Sequence, residues 1–335
     1  MATITVSPQA NRVRTDTTMR MQVCETVSLT ASTKLLRLRS AEERILPRFE
    51  VGAHIEVNVT FPDGQETWNA YSLIGDPADR SLFEIAVKRE ERGRGGSRYL
   101  HDAISVGEIL EVRGPTNDFP LDMDATSHLL IAGGIGITPI YSMSVQLSKL
   151  KIKHRVIFCA RDVEDAPLLE RLRSSSFADV EFHADGGQRD CYYDFDSLLR
   201  DPVEGQRIYV CGPQALIRTV VRISARQKWR GGAVRFENFG GIYDAPNPKL
   251  TVHLAKRSKT IVVEQPESIV DAIARHGFDP LYGCKRGDCG ICAVSVTSGT
   301  PMHRDMFLSE EEKESGKYMC PCVSWSASEE ITLDI

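Results

Sequence analysis

The sequence contains no run of 18 or more apolar residues, the length that a membrane-spanning helix requires. It also lacks an excess of basic residues, since 41 lysines and arginines stand against 46 aspartates and glutamates, a formal net charge of -5. Because nucleic-acid binders carry a strongly basic face, neither a nucleic acid nor a membrane is expected as a partner. Residues 1–17 are polar and lack the apolar stretch of a secretory signal. We therefore expect a cytoplasmic protein with a polar amino-terminal extension.

Signatures of hydrolytic chemistry are missing as well. The sequence shows no Ser/His/Asp arrangement, no paired-carboxylate signature and no internal repeat, and none of its eight histidines needs a catalytic role. This absence does not count against chemistry that requires stacking and orientation of the reactants more than acid–base groups. A chain of 335 residues is long enough for two or three domains, each with its own core.

The cysteines are distributed unevenly. Five of the nine lie between positions 284 and 322, and Cys284, Cys289 and Cys292 form a C-x4-C-x2-C motif that Cys322 follows at a distance. This spacing is typical of thiolates that bind a plant-type [2Fe-2S] cluster. A structural zinc site is the alternative, but such sites favour paired C-x2-C knuckles. The motif therefore predicts a one-electron carrier near the end of the chain.

The hydrophobic pattern divides the chain into three segments. Residues 18–124 contain short alternating strands at intervals of about ten residues, which predict an antiparallel barrel or sandwich. Residues 125–240 alternate apolar strands with helical stretches, which predict a doubly wound parallel sheet. Residues 241–249 are rich in glycine and proline and are interpreted as a linker, and residues 250–335 form the cysteine-containing segment.

Two glycine-rich turns in the second segment are candidates for binding a dinucleotide. Gly133, Gly134 and Gly136 follow an apolar strand and precede a helix, a place where backbone N–H groups can approach a pyrophosphate. The sequence is not the G-x-G-x-x-G fingerprint, and a tight strand-to-helix turn explains it too. A second turn follows a later strand and consists of Cys211, Gly212 and Pro213. Cys211 is interpreted either as part of the nicotinamide pocket or as a small buried hydrophobic residue.

Charged residues near the sheet and in the first segment add weaker signals. Asp162 follows the next strand of the predicted sheet. A carboxylate at this position accepts hydrogen bonds from an adenosine ribose and repels a 2′-phosphate, so Asp162 favours NADH over NADPH. The neighbouring Arg161 argues for the opposite preference. In the first segment, Arg94 precedes Gly95, Gly96 and Ser97 in a loop that suits a phosphomonoester or is simply solvated.

Taken together, these motifs resemble the phthalate dioxygenase reductase family. The resemblance runs from about residue 19 to the carboxyl terminus and rests on the following segments in order: Ala-Tyr-Ser-Leu (70–73), Ala-Val-Lys-Arg (86–89), Gly-Arg-Gly-Gly-Ser (93–97), Asn-Asp-Phe-Pro-Leu (117–121), Ala-Gly-Gly-Ile-Gly-Ile-Thr-Pro (132–139), Cys-Gly-Pro-Gln-Ala-Leu (211–216), Phe-Glu-Asn-Phe-Gly (236–240) and the cysteine loop. It implies an FMN-binding β-barrel, an NAD-binding domain and a β-grasp ferredoxin domain that pass electrons to a Rieske-type oxygenase.

The resemblance also implies which residues form each site. The predicted flavin residues are Asn69, Ala70, Tyr71, Ser72, Ala86, Val87, Lys88, Arg94, Gly95, Gly96, Ser97 and Thr138, with Phe239 covering the ring. The predicted dinucleotide residues are Gly133, Gly134, Gly136, Asp162, Cys211, Gly212 and Pro213. The predicted catalytic residues are Ser72, Thr138, Cys211 and Phe239, and the predicted iron ligands are Cys284, Cys289, Cys292 and Cys322.

Two positions require a decision. The family's flavin motif usually has an arginine two residues before the tyrosine, where this chain has Asn69, so recognition of the flavin phosphate needs another cation and FAD stays an alternative to FMN. Cys320 and Cys322 both compete for the fourth iron position. Cys322 is preferred because it precedes Val-Ser as in the family and leaves 29 residues after Cys292.

NADH delivers two electrons as hydride whereas an iron–sulfur cluster accepts one, so a chain with both sites needs flavin as the converter. We therefore expect an NADH-dependent reductase component of an oxygenase that acts on an aromatic acid or a similar small substrate. A stand-alone diaphorase or ferric reductase is the alternative enzyme. A non-catalytic redox sensor is disfavoured because it needs no hydride donor.

Overall fold

A computed structural model of the protein describes residues 18–61, 64, 66–91, 95–188, 191–239, 247–264, 267–283, 285, 287 and 290–335. The chain has two compact units. The first extends to Leu121 and includes Tyr141–Met143, and the second comprises Asp122–Ile140 and Ser144–Ile335. Within the described ranges, no helix combines the length and the apolar character that crossing a membrane would require.

The first unit contains a six-stranded antiparallel sheet. Its strands are β1 (Met19–Ser28), β2 (Thr33–Ser40), β3 (Ala53–Thr60), β4 (Glu66–Ser72), β5 (Leu82–Lys88) and β6 (Ile109–Asn117). They pair in the order β4-β3-β6-β1-β2-β5, and a bridge between Leu73 and Ile85 joins the two edges. Alternate side chains, such as Ile55 and Val57 of β3, point into one apolar core. The predicted antiparallel barrel is confirmed.

The barrel is accompanied by one short helix, α1 (Gly96–Asp102), which contacts β3, β4 and β5. The Lys34 ammonium donates to the carbonyl of Leu100 at 3.5 Å and also to that of His101, near the carboxyl end of the helix. Because β4 and β5 are the edges of the sheet, α1 covers the place where the barrel is least hydrogen-bonded.

The second unit begins with a five-stranded parallel sheet. Its strands are β7 (Ser127–Gly133), β8 (His154–Ala160), β9 (Ala178–Ala184), β10 (Gln206–Cys211) and β11 (Val234–Glu237), and its helices are α2 (Ile137–Lys149), α3 (Leu169–Arg173), α4 (Phe195–Leu198) and α5 (Gln214–Arg226). The strand order is β11-β10-β7-β8-β9, so the chain winds outward from β7 in one direction and from β10 in the other. This confirms the predicted doubly wound sheet and creates a switch point between β7 and β10.

The same unit ends in a mixed sheet of the ferredoxin type. Its strands β12 (Leu250–Leu254), β13 (Lys259–Val263), β14 (Val294–Ser298), β16 (Tyr318–Met319) and β18 (Glu330–Leu333) pair in the order β13-β12-β18-β14-β16, and β15 (Pro301–Met302) pairs with β17 (Trp325–Ser326). Helices α6 (Ile269–Arg275) and α7 (Glu310–Ser315) complete it. The Ser268 hydroxyl accepts the N–H of Asp271 and so caps the start of α6. The limits 18–124, 125–240, 241–249 and 250–335 remain our proposal for the domains.

Candidate functional site

The residues predicted to bind flavin gather at the two edges of the barrel sheet. Residues 69–72 lie on β4, residues 86–88 on β5, and residues 95–97 lead into α1, which contacts both edge strands. These three segments are separated in the sequence, and closure of the barrel brings them together. Arg94 lies outside the described residues.

Ser72 is a predicted flavin residue with a buried, unsatisfied hydroxyl. Its side chain ends β4 and is 4% exposed, and its hydroxyl has no hydrogen-bond partner among the described residues. A buried hydroxyl without a partner costs about 1–3 kcal/mol. A flavin heteroatom at this place would satisfy the hydroxyl, so the site fits the cofactor that the sequence predicts.

Asn69 occupies the position where the family has an arginine. Its amide nitrogen packs against α1 so closely that a Cβ added at Gly96 would lie 2.0 Å from it. The same nitrogen is 3.5 Å from the Tyr71 hydroxyl. The ammonium of Lys88, a cation at the end of the other edge strand β5, is 3.3 Å from the Glu90 carboxylate. A neutral amide therefore stands at the predicted phosphate position, and a larger residue at position 96 would force the Asn69 side chain to move.

The other predicted flavin residues take different orientations. Ala86 and Val87 are buried, and the Val87 side chain belongs to the barrel core. Val87 could therefore contact a ligand only through its backbone. The Val87 carbonyl accepts a hydrogen bond from the His101 ring at 2.8 Å. The Ser97 hydroxyl accepts the N–H of Glu90 at 3.1 Å, which ties the start of α1 to the end of β5.

The candidate dinucleotide site lies at the switch point of the parallel sheet. Gly133 ends β7 and Cys211 ends the neighbouring strand β10, so the two glycine turns meet at the carboxyl edge. A Cβ added at Gly136 would lie 2.3 Å from the Cys211 carbonyl oxygen, and one at Gly133 would lie 2.7 Å from the Pro213 ring. The Gly136 backbone therefore packs against the Cys211 backbone, and the Gly133 backbone packs against the Pro213 ring. Glycines suit a pyrophosphate site in such a turn, because side chains there would hold the phosphates away from the backbone N–H groups.

Other predicted residues surround this edge of the sheet. The buried hydroxyl of Thr138, in the first turn of α2, donates to the Ile135 carbonyl at 3.0 Å. Asp162 is exposed after β8 and accepts the N–H of Asp165 at 2.9 Å. Phe239 follows β11 and is 42% exposed. The roles of these residues stay predictions.

Sequence reasoning missed Glu237. This residue ends β11 directly beside Cys211 in the parallel register, and it is 1% exposed. Cys211 itself is fully buried. The segment 236–240, on which the family resemblance partly rests, contains Glu237, but the resemblance assigns it no role. An acidic residue at the end of an apolar strand does not by itself distinguish a buried carboxylate from a solvated loop charge.

The candidate iron site contains a close pair of thiols. The sulfur atoms of Cys292 and Cys322 are 3.1 Å apart, and both side chains are buried. Hydrogen bonding with Cys320 and then with Cys322 lowers the pKa of the Cys292 thiol. The thiolate is the form that binds a metal, so this pair suits iron. Cys284 and Cys289 lie outside the described residues.

Cys320 is a third buried thiol in this region. It shares an apolar cluster with Cys292, Cys322, Val270 and Leu308. Its hydrogen bond with Cys292, followed by burial, raises its pKa. The structure thus places both candidates for the fourth ligand near Cys292, and Cys322 stays our prediction for that ligand.

Family models match three parts of the chain. Residues 20–120 match an oxidoreductase FAD-binding domain, residues 113–233 match the N-terminal domain of dimethylamine monooxygenase subunit DmmA-like proteins, and residues 252–325 match a 2Fe-2S iron-sulfur cluster binding domain. The order of these matches agrees with the barrel, the parallel sheet and the ferredoxin-type sheet.

Whole-chain similarity is equally clear. Phthalate dioxygenase reductase of Burkholderia cepacia is 37% identical over 87% of this chain and 89% of its own. The chain belongs to the phthalate dioxygenase reductase family. The carnitine monooxygenase reductase subunit of Escherichia coli (strain K12) is 34% identical over 94% of this chain and 98% of its own.

A solved structure of phthalate dioxygenase reductase superposes with a TM-score of 0.75, covering 96% of this chain and 98% of that chain at 34% identity. Its title describes electron transfer from pyridine nucleotides to [2Fe-2S]. As a member of this family, the protein is an oxidoreductase that passes electrons from pyridine nucleotide through flavin to a [2Fe-2S] cluster. The cofactors and the enzyme class predicted from the sequence are confirmed.

Proposed function

We propose that the protein is the NADH-dependent, FMN-containing reductase component of a two-component Rieske-type oxygenase that acts on an aromatic acid or a similar small substrate. The observation that carries this proposal is the buried Cys292–Cys322 thiol pair in the same chain as the dinucleotide crevice. One polypeptide thereby combines a two-electron entry site with a one-electron exit site.

Flavin supplies the conversion between hydride and single electrons when it is bound. The residues of this chain bind and orient the reactants. The glycine turns at Gly133 and Gly136 would receive the pyrophosphate, the Ser72 hydroxyl would hold a flavin heteroatom at the end of β4, and the Cys292 and Cys322 thiolates would hold iron. Phe239 would occupy the nicotinamide position in the absence of the dinucleotide and would move aside for it.

The acceptor is proposed to be a separate oxygenase. Relatives are named as reductase subunits of carnitine monooxygenase and of phthalate 4,5-dioxygenase, which supports a dedicated protein partner. The preference for NADH is supported by the Asp162 carboxylate at the carboxyl end of β8. The choice of FMN rests on the family, because Asn69 removes the usual charged partner of the flavin phosphate.

The test begins with the purified protein. Chromatography of the extracted flavin should identify FMN, and anaerobic NADH should bleach both the flavin and the iron–sulfur absorbance. NADH-driven reduction of cytochrome c excludes a non-catalytic sensor. The oxygenase components of phthalate 4,5-dioxygenase and of carnitine monooxygenase then serve as acceptors, with hydroxylated product as the readout. Lack of coupling to every candidate oxygenase, with cytochrome c reduction intact, would favour the stand-alone diaphorase.

A further inference from the structure

Asp305 is a fully buried acidic residue that the described chemistry does not use. It lies between β15 and α7 and is 0% exposed. Aspartate is seldom fully buried unless it is paired, because a charged group loses hydration in the interior. Its environment therefore requires an explanation.

The contacts of Asp305 connect it to both segments that carry the predicted iron ligands. A Cβ added at Gly287, on the cysteine loop, would lie 3.0 Å from the Asp305 Cα, and the next N–H, that of Met306, donates to the Gly287 carbonyl at 3.0 Å. The hydroxyl of Ser324, two residues after Cys322, donates to Asp305 Oδ1 at 3.1 Å. Asp305 thus lies directly behind the ligand loop and the fourth-ligand turn.

The charge of Asp305 has little compensation. Its Oδ2 accepts the N–H of Leu308 at 2.9 Å, and the Nδ1 atom of His303 is 3.7 Å from Oδ1. Among the residues that the structure describes, no lysine or arginine forms an ion pair with it. An asparagine here would accept the Leu308 N–H on its oxygen and donate its amide to the Ser324 hydroxyl, so hydrogen bonding alone does not explain a carboxylate here.

We propose that Asp305 is a positioning residue that sets the reduction potential of the [2Fe-2S] cluster. A negative charge in a low-dielectric interior disfavours the arrival of one more electron on a neighbouring group, and charge and hydrogen bonding are known controls of iron–sulfur potentials. The step is a one-electron reduction of the cluster by flavin, with no bond broken and no proton transferred. This inference rests on the proposed ligands and therefore on the proposed function.

The experiment compares Asp305→Asn with Asp334→Asn in the full-length holoprotein. Both substitutions remove one negative charge from the same domain, but the Asp334 side chain is 39% exposed and its carboxylate is 2.9 Å from the Lys256 ammonium. Iron and sulfide content must match that of the wild type. Spectroelectrochemical titration and the paramagnetic signal of the reduced cluster then give the midpoint potential.

We expect Asp305→Asn to favour reduction at least tenfold, which is a positive shift of about 59 mV for one electron. Asp334→Asn should change the equilibrium less than about twofold, because its charge is solvated. A fully loaded Asp305→Asn protein with the wild-type potential would overturn the inference and leave the proposed function intact. A wild-type protein that holds no cluster after reconstitution would overturn both.

A second variant covers the case in which Asp305→Asn does not retain the cluster. Ser324→Ala removes one hydrogen bond to the Asp305 carboxylate while the charge stays, so the negative charge is less neutralised. The midpoint potential should then become more negative. An unchanged or more positive potential of loaded Ser324→Ala would count against the role of Asp305.

Discussion

Substitution of Gly136 by alanine tests the geometry of the dinucleotide crevice. Gly136 has a φ of -62°, a conformation that alanine adopts freely, so the substitution carries no backbone penalty. The added Cβ would nevertheless lie 2.3 Å from the Cys211 carbonyl oxygen and 2.6 Å from the Gly212 nitrogen. Ordinary contacts of a Cβ atom lie at 3.4–4 Å, so the two turns must separate by about 1 Å. Overpacking of this size costs about 1–3 kcal/mol.

Gly231 provides the matched control, because an added Cβ there meets no atom within 4 Å and its φ is not positive. Urea unfolding should show a loss of about 2 kcal/mol for Gly136→Ala and a change within about 0.5 kcal/mol for Gly231→Ala. Because the chain contains several cores, its unfolding is expected to show more than one transition. The relevant unfolding transition is the one whose midpoint NAD⁺ shifts. Calorimetric titration should show at least a tenfold loss of NAD⁺ affinity for Gly136→Ala. Wild-type stability and affinity in that variant would refute the close packing of the two turns.

Five further substitutions test the other sites and one buried histidine. Ser72→Ala should leave the unfolding free energy unchanged or higher, because it removes an unsatisfied buried hydroxyl, yet slow flavin reduction by NADH at least tenfold in stopped flow. Cys320→Ser should keep the visible absorbance and reduced-state paramagnetic signal of the cluster, whereas Cys322→Ser should lose both. Phe239→Ala should change the rate of flavin reduction, and an unaltered rate would remove Phe239 from the site. Burial lowers the pKa of His154 below 6.5, so its neutral ring contributes stability that is complete above pH 6.5 and declines as the pH falls below it. His154→Gln should therefore reduce the difference in Tm between pH 7.5 and pH 5.5.

The sequence predicts well those elements whose pattern is local. Leu129 to Ala132 form a continuous apolar run, and the structure places them in β7, a central strand buried on both faces. Ser268 and Gly277 bracket a helical pattern, and α6 lies between them. In each case the information that specifies the element lies within a few residues of it.

Features that depend on contacts between distant segments could not be predicted in this way. The packing of Asn69 against Gly96 arises because β4 and α1 meet at the barrel edge, although 26 residues separate them in the sequence. Val87 belongs to a motif of the family, yet period-two alternation directs its side chain into the core. Asp305 has no distinguishing sequence context, and its burial becomes evident only when Gly287 and Ser324 are brought beside it.

The pairing of the nucleotide and ferredoxin parts in one compact unit also follows from contacts that the sequence does not reveal. Gln214, which directly follows Pro213, donates from its side-chain amide to the Arg304 carbonyl at 3.1 Å, and Met306 packs against the apolar core of the parallel sheet. Asp305 lies between Arg304 and Met306 in the sequence. The segment behind the cluster loop is therefore held by the nucleotide-binding part as well as by Gly287. Because packed interiors transmit small displacements, the placement of Asp305 beside Gly287 and Ser324 depends on the same contacts that involve the start of α5.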